Sequence, residues 1–202
     1  MSINSINLKM PKITNDIKKS MTEFLKLNNC LDTISHSIEV ANYAKDISCR
    51  YSINPELAEI SGLLHDISAV IPNNKRIEVA KILGIEICDE ERKLPLIIHQ
   101  KISKVIAQEI FKINDTSILS AIECHTTLKK EPSKLDLLLF VSDKVKWDQS
   151  GNPPYLEGLL YNLDKSLEHS ALYYIDYLLQ NEIKVIHPWL KDAYEYLNFK
   201  LK

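Results

Sequence analysis

The chain has very little glycine: its 202 residues include four glycines and eight prolines. Glycine and proline mark turns, so a protein built from many short strands would need more of them. The shortage therefore favours long helices. The four cysteines (Cys30, Cys49, Cys88 and Cys124) form no C-x-x-C pair, which argues against a zinc–thiolate site and against a disulfide framework.

Long apolar runs are also absent. The longest, at residues 137–141, is far shorter than the ~18 apolar residues of a membrane span, and the N-terminal residues contain no apolar segment of signal-peptide length. Lys and Arg number 25 against 27 Asp and Glu, without the basic excess of proteins that hold long nucleic acid. We therefore expect a cytoplasmic protein with reduced thiols, without membrane or long nucleic-acid partners.

Apolar residues recur at helical spacing along most of the chain, and Asn54-Pro55 and Ser133 have the character of helix starts. We predict an all-α fold: a single domain over residues 1–202, with a functional core at about 30–150 and C-terminal helices at 155–200 packed on it. Asp164 is expected to cap a helix. The predicted helices cover about 12–27, 33–47, 55–66, 75–83, 89–94, 95–110, 117–125, 133–143, 159–163, 166–179 and 188–197.

Several histidines and aspartates lie on the core-facing stripes of five predicted helices. Burying an ionisable group costs several kcal/mol unless a partner satisfies it. One such histidine would be explained more readily as a hydrogen-bonded core residue. A buried metal centre explains the whole set together: His36, His65, Asp66, His99, His125 and Asp143.

The set divides into two metal sites that share Asp66. A carboxylate has two oxygens, so Asp66 can bridge two ions while His65 binds one. His36 and Asp143 complete the first site, and His99 and His125 have the right type to complete the second. Imidazole and carboxylate ligands suit iron, manganese or zinc. Two ions roughly 3.5–4 Å apart activate water and clamp phosphate oxygens, so phosphate-ester chemistry is the natural candidate, with Asp66 as the catalytic residue.

The order of these residues resembles that of the HD-domain metal-dependent phosphohydrolases. GLLHD at 62–66 and HTT at 125–127 are most similar to the YqeK-type branch, the symmetrical diadenosine-tetraphosphate hydrolases of bacteria. The resemblance extends from about Ser35 to Trp147. It implies an HD-type helical bundle with a dinuclear metal site, most often iron, in its core. It also implies attack on a polyphosphate by a hydroxide that bridges the metals, giving two ADP.

The chain departs from that family at positions expected to contact phosphate. Ala69 stands where the family usually has lysine, Gln149 where arginine is typical, and Gln100 and Leu128 where glycine is usual. The candidate substrate-binding residues are two threonines and four lysines that could replace the missing charge: Thr126, Thr127, Lys101, Lys129, Lys144 and Lys146.

The expected function is thus symmetrical hydrolysis of diadenosine tetraphosphate, with a nucleotide or dinucleoside polyphosphate as partner and two transition-metal ions as cofactors. An HD-type nucleotidase acting on a mononucleotide is one alternative. A nucleotide-sensing module with little turnover is another, favoured by Ala69 and Gln149. The sequence does not give the oligomeric state, and a homodimer is among the alternatives.

Overall fold

The computed structural model describes residue 3 and residues 6–146, 151–181 and 183–202. These residues form eleven α-helices and no strand, which confirms the all-α prediction. The helices are α1 Ile17–Leu27, α2 Leu31–Ser48, α3 Pro55–Leu64, α4 Arg76–Ile82, α5 Asp89–Lys93, α6 His99–Glu109, α7 Thr116–Cys124, α8 Lys134–Val145, α9 Leu156–Leu163, α10 Leu167–Gln180 and α11 Pro188–Lys200.

Side-chain caps set the starts of the helices that carry the core. Asn54 accepts a hydrogen bond from the Glu56 amide at the start of α3, with Pro55 as the first helical residue. Ser133 and Asp136 form a reciprocal capping box at the start of α8. Both starts were predicted, because caps of this kind satisfy amides that the helix leaves without partners.

Several predicted boundaries differ from the structure. The first helix begins at Ile17 rather than near residue 12, because Asp16 caps it by accepting from the Lys19 amide. The helix expected from Pro95 begins at His99, after a turn. Asp164 is the C-cap of α9, its carboxylate 3.0 Å from Arg50 Nη1, and Ser166 caps the start of α10.

The helices enclose one hydrophobic core that includes Phe24 and Phe140, both without solvent exposure. Helix α2 packs along α3, and α3 also contacts α7 and α8. These helices carry most of the predicted ligands at the centre of the fold. No helix in the described ranges is long and apolar enough to cross a bilayer.

The close approach of α2 to α3 depends on Gly62. A Cβ at this position would lie 2.5 Å from Ala41 Cα and 2.7 Å from Ala41 N. Both atoms are backbone atoms, so side-chain rotation cannot relieve the clash. The two helices, and with them His36 and His65, are held together at a distance that only glycine permits.

Gly62→Ala should therefore lower the free energy of unfolding by about 3 kcal/mol, as overpacking of a dense core does. Urea denaturation would measure this change. Gly158→Ala is the matched control: the three atoms nearest to its Cβ all belong to the Tyr173 side chain, which can turn away as a backbone cannot, and alanine gains ~1 kcal/mol of helix propensity over glycine. Equal losses in both variants would contradict the close contact between α2 and α3.

Candidate metal centre

The structure brings the predicted ligands together at one place, and three of the histidines lie at helix ends. His65 and His125 directly follow α3 and α7, and His99 is the first residue of α6. Asp66 comes next after His65, while His36 and Asp143 lie within α2 and α8.

The first group consists of His36, His65 and Asp143. Their ligand atoms converge: His36 Nε2 lies 3.1 Å from Asp143 Oδ1 and 3.2 Å from His65 Nε2. His65 Nε2 lies 3.5 Å from the same Asp143 oxygen. Ligands at ~2.1 Å from one ion are separated by roughly 3.0–3.4 Å, the edge of an octahedral or tetrahedral site. These separations fit a metal ion.

The second group consists of His99 and His125, with Nε2 atoms 2.9 Å apart. Asp66 Oδ1 lies 3.0 Å from His99 Nε2 and 3.4 Å from His125 Nε2. The other oxygen, Oδ2, lies 3.6 Å from His65 Nε2 in the first group. Each oxygen of Asp66 thus faces a different group, as a bridging carboxylate requires.

Three of the histidines have their tautomer fixed for metal binding. In His65, His99 and His125, Nδ1 lies 2.8, 2.6 and 2.8 Å from the carbonyl oxygen three residues earlier. A carbonyl oxygen only accepts, so Nδ1 must carry the proton and donate it. The lone pair is then on Nε2, the atom that faces the ligand cluster. Such support of the far ring nitrogen is typical of metal-binding histidines.

The electrostatics also suit a cation. Burial alone would lower the pKa of His65, but Asp66 and Asp143 outweigh it and raise that pKa to about 9. Burial, reinforced by His99 and His65, lowers the pKa of His125 to about 4, so this imidazole is neutral at neutral pH. Burial opposes ionisation of both carboxyls. Even so, His65 holds the pKa of Asp66 well below its usual range, and Lys144 does the same for Asp143.

A pocket of about 260 Å³ opens over both groups. Among the predicted substrate-binding residues, Thr126, Lys144 and Lys146 line it, and Ala69 forms part of its wall. The Thr126 hydroxyl lies 3.2 Å from His99 Nε2, and Lys144 Nζ donates to Asp143 Oδ2 at 2.5 Å. Gln149, singled out in the sequence, and Trp147, at the end of the resemblance, lie outside the described residues.

The structure does not bring Thr127, Lys129 or Lys101 to this pocket. The Thr127 hydroxyl is buried and accepts from the Gln100 amide nitrogen at 2.9 Å. Lys129 Nζ donates to Ser120 and lies 3.4 Å from Asp136. These three residues pair with buried polar groups, so they are not carried into the substrate site proposed below.

Two departures from the family pattern act together in the turn after α7. Gln100 Oε1 accepts from the amides of Thr126 and Thr127 at 3.0 and 3.2 Å. Leu128 adopts a left-handed backbone with φ of 57°, a conformation that glycine takes without strain and other residues rarely adopt. Its side chain is fully buried. Apolar packing and the Gln100 hydrogen bonds therefore hold a turn that glycine would otherwise favour.

Lys101 belongs to a separate polar cluster, with Cys88, Glu91 and His187. Its Nζ lies 3.0 Å from Glu91 Oε1. His187 Nε2 lies 3.4 Å from both Cys88 Sγ and Glu91 Oε1. These spacings alone would also suit a metal ion.

The tautomer of His187 argues against a metal in this cluster. Its Nδ1 accepts a hydrogen bond from the Trp189 amide at 3.1 Å as the cap of α11. The neutral ring therefore carries its proton on Nε2, the atom that would have to bind the ion. Lys101 already supplies the positive charge next to Glu91. We interpret the cluster as structural, joining α11 to α5 and α6.

Besides Leu96, three residues in the pocket wall were not identified as site residues from the sequence: Arg76, Tyr155 and Tyr174. Arg76 begins α4, and the tyrosines come from the C-terminal part of the chain. In the sequence, the one feature that could have indicated Arg76 is its position next to the apolar residues of a short helix. The two tyrosines have the helical spacing of ordinary packing residues, so the sequence does not mark them as site residues.

Comparisons with known proteins agree with this fold. Residues 33–148, more than half of the chain, match the family model of the HD domain. The chain belongs to the HD-domain family. Family membership implies hydrolase activity and divalent metal ions, and the two ligand groups described above are suited to hold them.

The chain is 53% identical over 141 residues to an uncharacterised protein in the pepC 5′ region of Lactococcus lactis subsp. cremoris, covering 70% of this chain and 72% of that one. It is 25% identical over 171 residues to a symmetrical bis(5′-nucleosyl)-tetraphosphatase of Staphylococcus aureus, covering 82% and 86%. These comparisons confirm a distant relationship of this HD-domain protein to the symmetrical hydrolases.

Among solved structures, the chain resembles that of a predicted HD superfamily hydrolase involved in NAD metabolism from Clostridium acetobutylicum. The TM-score is 0.83 at 25% identity, covering 95% of this chain and all of that one. The helical arrangement thus extends over nearly the whole chain, including the helices after residue 151.

Replacement of single ligands should separate the two metal sites. Native protein is expected to hold about two transition-metal ions per chain, measured by elemental analysis after loading with iron or manganese. His36→Ala and His99→Ala should each leave about one ion. Asp66→Ala should weaken both ions by more than the ~10–100-fold seen on loss of outer-sphere support.

The matched control is Cys88→Ser, which alters the structural cluster and should leave the metal count unchanged. Two outcomes would contradict the assignment. One is native protein that takes up only trace metal on reconstitution. The other is Asp66→Ala protein with its full metal content.

The structural cluster predicts a pH dependence of stability. Burial alone would raise the pKa of Glu91, but hydrogen bonds from His187, the Cys88 amide and Lys101 lower it to about 2. A carboxyl with a depressed folded-state pKa stabilises the fold above its unfolded pKa, and this contribution is lost as pH falls towards the folded value.

Glu91→Gln should therefore destabilise the protein at pH 7, and its penalty relative to native protein should shrink between about pH 4.5 and 2. Urea unfolding of both proteins at pH 7, 4 and 3 would measure the difference. Glu86→Gln, at an exposed position nearby, should show no such trend. A Glu91→Gln penalty that stays constant with pH would contradict the depressed pKa.

Proposed function

We propose that this HD-domain protein hydrolyses a phosphoanhydride bond of a nucleotide, with diadenosine tetraphosphate as substrate and two ADP as products. One observation carries the proposal: the two oxygens of Asp66 face two separate histidine groups at the floor of a pocket lined by lysines. The name of the Staphylococcus aureus relative supports the choice of substrate. So does that of a Bacillus subtilis protein, also a symmetrical bis(5′-nucleosyl)-tetraphosphatase and 24% identical.

The ligand groups hold the cofactor in this proposal. His36, His65, Asp66 and Asp143 would hold one ion, and Asp66, His99 and His125 the other; iron is the first candidate, with manganese and zinc as alternatives. When bound, two such ions supply Lewis acidity and lower the pKa of water. Asp66 fixes the spacing between the two groups and so sets where the reacting phosphate lies.

The pocket wall neutralises and orients the phosphates. Lys144 lies against Asp143 and is only 12% exposed, so its ammonium acts in a site with little water, where charge interactions are strong. Lys146 lies 5.2 Å from the centre of the Tyr43 ring. Thr126 offers a hydroxyl next to His99. Together these groups surround the phosphates with donors.

The size of the pocket suits the polyphosphate rather than the whole dinucleotide. Pockets that enclose a drug-sized ligand measure roughly 300–1,000 Å³, and this one measures about 260 Å³. The central phosphates therefore lie over the ligand groups while the two nucleosides extend beyond them. Attack at the phosphate second from one end, with ADP as the leaving group and water as the nucleophile, gives two ADP.

The same size also accommodates the phosphate of a mononucleotide, which makes a nucleotidase the second candidate. A sensing module is the third candidate, since Ala69 leaves the pocket without the lysine that the family usually has there. Product analysis separates these activities.

Iron- or manganese-loaded protein should convert diadenosine tetraphosphate to two ADP, measured by chromatography of the products. Each well-placed donor can contribute ~10²–10³ in rate. Lys144→Ala should therefore slow the reaction by about this factor, since the phosphate loses a desolvated cation. The matched control is Lys134→Ala, an exposed position on the same helix, which should not change the rate.

Other products would favour the other candidates. Nucleoside and free phosphate from a mononucleotide would indicate the nucleotidase. Release of ATP and AMP would contradict symmetrical cleavage. No turnover by protein that holds both metals would contradict the hydrolase and favour the sensing module.

A further inference from the structure

Arg76 is one of three arginines in the chain. Arg50 and Arg92 are exposed, whereas Arg76 is only 9% exposed and lines the pocket over the metal centre. Removing a guanidinium from water is costly unless its environment compensates. A buried arginine at this place therefore calls for an explanation.

Two hydrogen bonds fix the guanidinium in place. Nε donates to the Ile71 carbonyl at 3.3 Å, and Nη1 donates to the Leu96 carbonyl at 3.2 Å. Both acceptors are neutral. In the described part of the chain Nη2 donates no hydrogen bond, and Arg76 forms no ion pair within 4.0 Å. The side chain is thus held rigidly, with its charge unpaired and donors left over.

The guanidinium lines the same pocket as the Asp66 carboxylate. Burial lowers the pKa of Arg76 and Asp66 partly restores it, and guanidinium stays protonated in proteins throughout the neutral range. Ala69, which stands where a lysine would be expected by resemblance, lines the same pocket. A methyl group supplies no charge at this position.

We propose that Arg76 binds a phosphate of the nucleotide, and that it takes over the charge that a lysine at position 69 would supply. This inference rests on the proposed function for its choice of ligand. Guanidinium matches two phosphate oxygens with parallel N–H donors, which an ammonium cannot do. Because two carbonyls already hold the guanidinium, its remaining Nη1 and Nη2 donors can meet the phosphate with little loss of conformational entropy.

A purely structural role predicts something different. If Arg76 served only to bind the Ile71 and Leu96 carbonyls, its replacement would lower stability without a specific effect on phosphate binding. A lysine introduced at position 69 would not restore the lost stability, because it adds a charge to the pocket and does not bind the Ile71 and Leu96 carbonyls.

The test measures binding without turnover. Manganese-loaded native and variant proteins would be titrated calorimetrically with ADP whose bridging oxygen is replaced by methylene, so that it cannot be hydrolysed. Arg76→Gln should weaken binding roughly 10- to 100-fold, the usual worth of a hydrogen bond to a charged group, with the metal content unchanged. Ala69→Lys in the Arg76→Gln background should recover a large part of the affinity.

The matched control is Arg92→Gln, at an exposed position, which should bind the analogue like native protein. Native-like affinity in Arg76→Gln, or no recovery from Ala69→Lys, would overturn the inference. Should Arg76→Gln fail to fold or lose metal, Arg76→Lys decides. Reduced affinity in folded, metal-loaded Arg76→Lys supports the guanidinium contact, and native affinity overturns it.

These outcomes are separate from those of the proposed hydrolysis. Failure of native protein to cleave diadenosine tetraphosphate would overturn the proposed reaction, whereas the binding result for Arg76 depends only on affinity for the phosphates.

Discussion

The position of the Asp66 carboxylate between two groups of histidines is the constraint on which the rest of the site depends. Neighbouring residues in a helix point about 100° apart, so His65 and Asp66 could not both face one centre from the middle of a helix. The structure ends α3 at Leu64, and Asp66 adopts φ of −107° and ψ of 20°, outside the helical geometry. Each carboxylate oxygen can then reach a different group.

The same helix ends also prepare the histidines. The last carbonyls of a helix lack partners within it. At the ends of α3 and α7, the carbonyls of Gly62 and Ile122 accept from Nδ1 of His65 and His125. A polar group that burial would penalise is thereby satisfied, and Nε2 is left free to bind metal. The same hydrogen bond therefore satisfies a carbonyl at the helix end and orients the histidine.

Close packing places these ends at the same point. Gly62 lets α2 approach α3 at its Ala41 backbone, which brings His36 to within 3.2 Å of His65 between their Nε2 atoms. Lys144 then offsets part of the negative charge by its contact with Asp143. A cation at the centre would balance the remainder, since two adjacent, partly buried carboxylates are costly without one.

Much of this arrangement could be predicted from the sequence. Helical periodicity and the caps at Asn54 and Ser133 indicated the all-α fold, and the positions of the six histidines and aspartates on apolar stripes indicated that each of them faces the core. Their roles as metal ligands stay a prediction. Periodicity reports which face of a helix is buried and not which residues meet across the core.

For the same reason, the sequence could not show which of the candidate lysines reach the pocket. Lys101 and Lys144 look alike in the sequence, yet one pairs with Glu91 and the other lines the pocket. Arg76 reaches the pocket through a tertiary contact that its local sequence does not encode. The left-handed turn at Leu128 depends on Gln100, which is distant in sequence.

The most direct test of the account is anomalous diffraction from a crystal of iron-loaded protein, recorded at the iron edge. The account predicts two peaks, each within bonding distance of a different oxygen of Asp66. One peak should also touch His36, His65 and Asp143, and the other His99 and His125. A single peak, a pair of peaks bound by only one Asp66 oxygen, or a peak at Cys88 and His187 would contradict it.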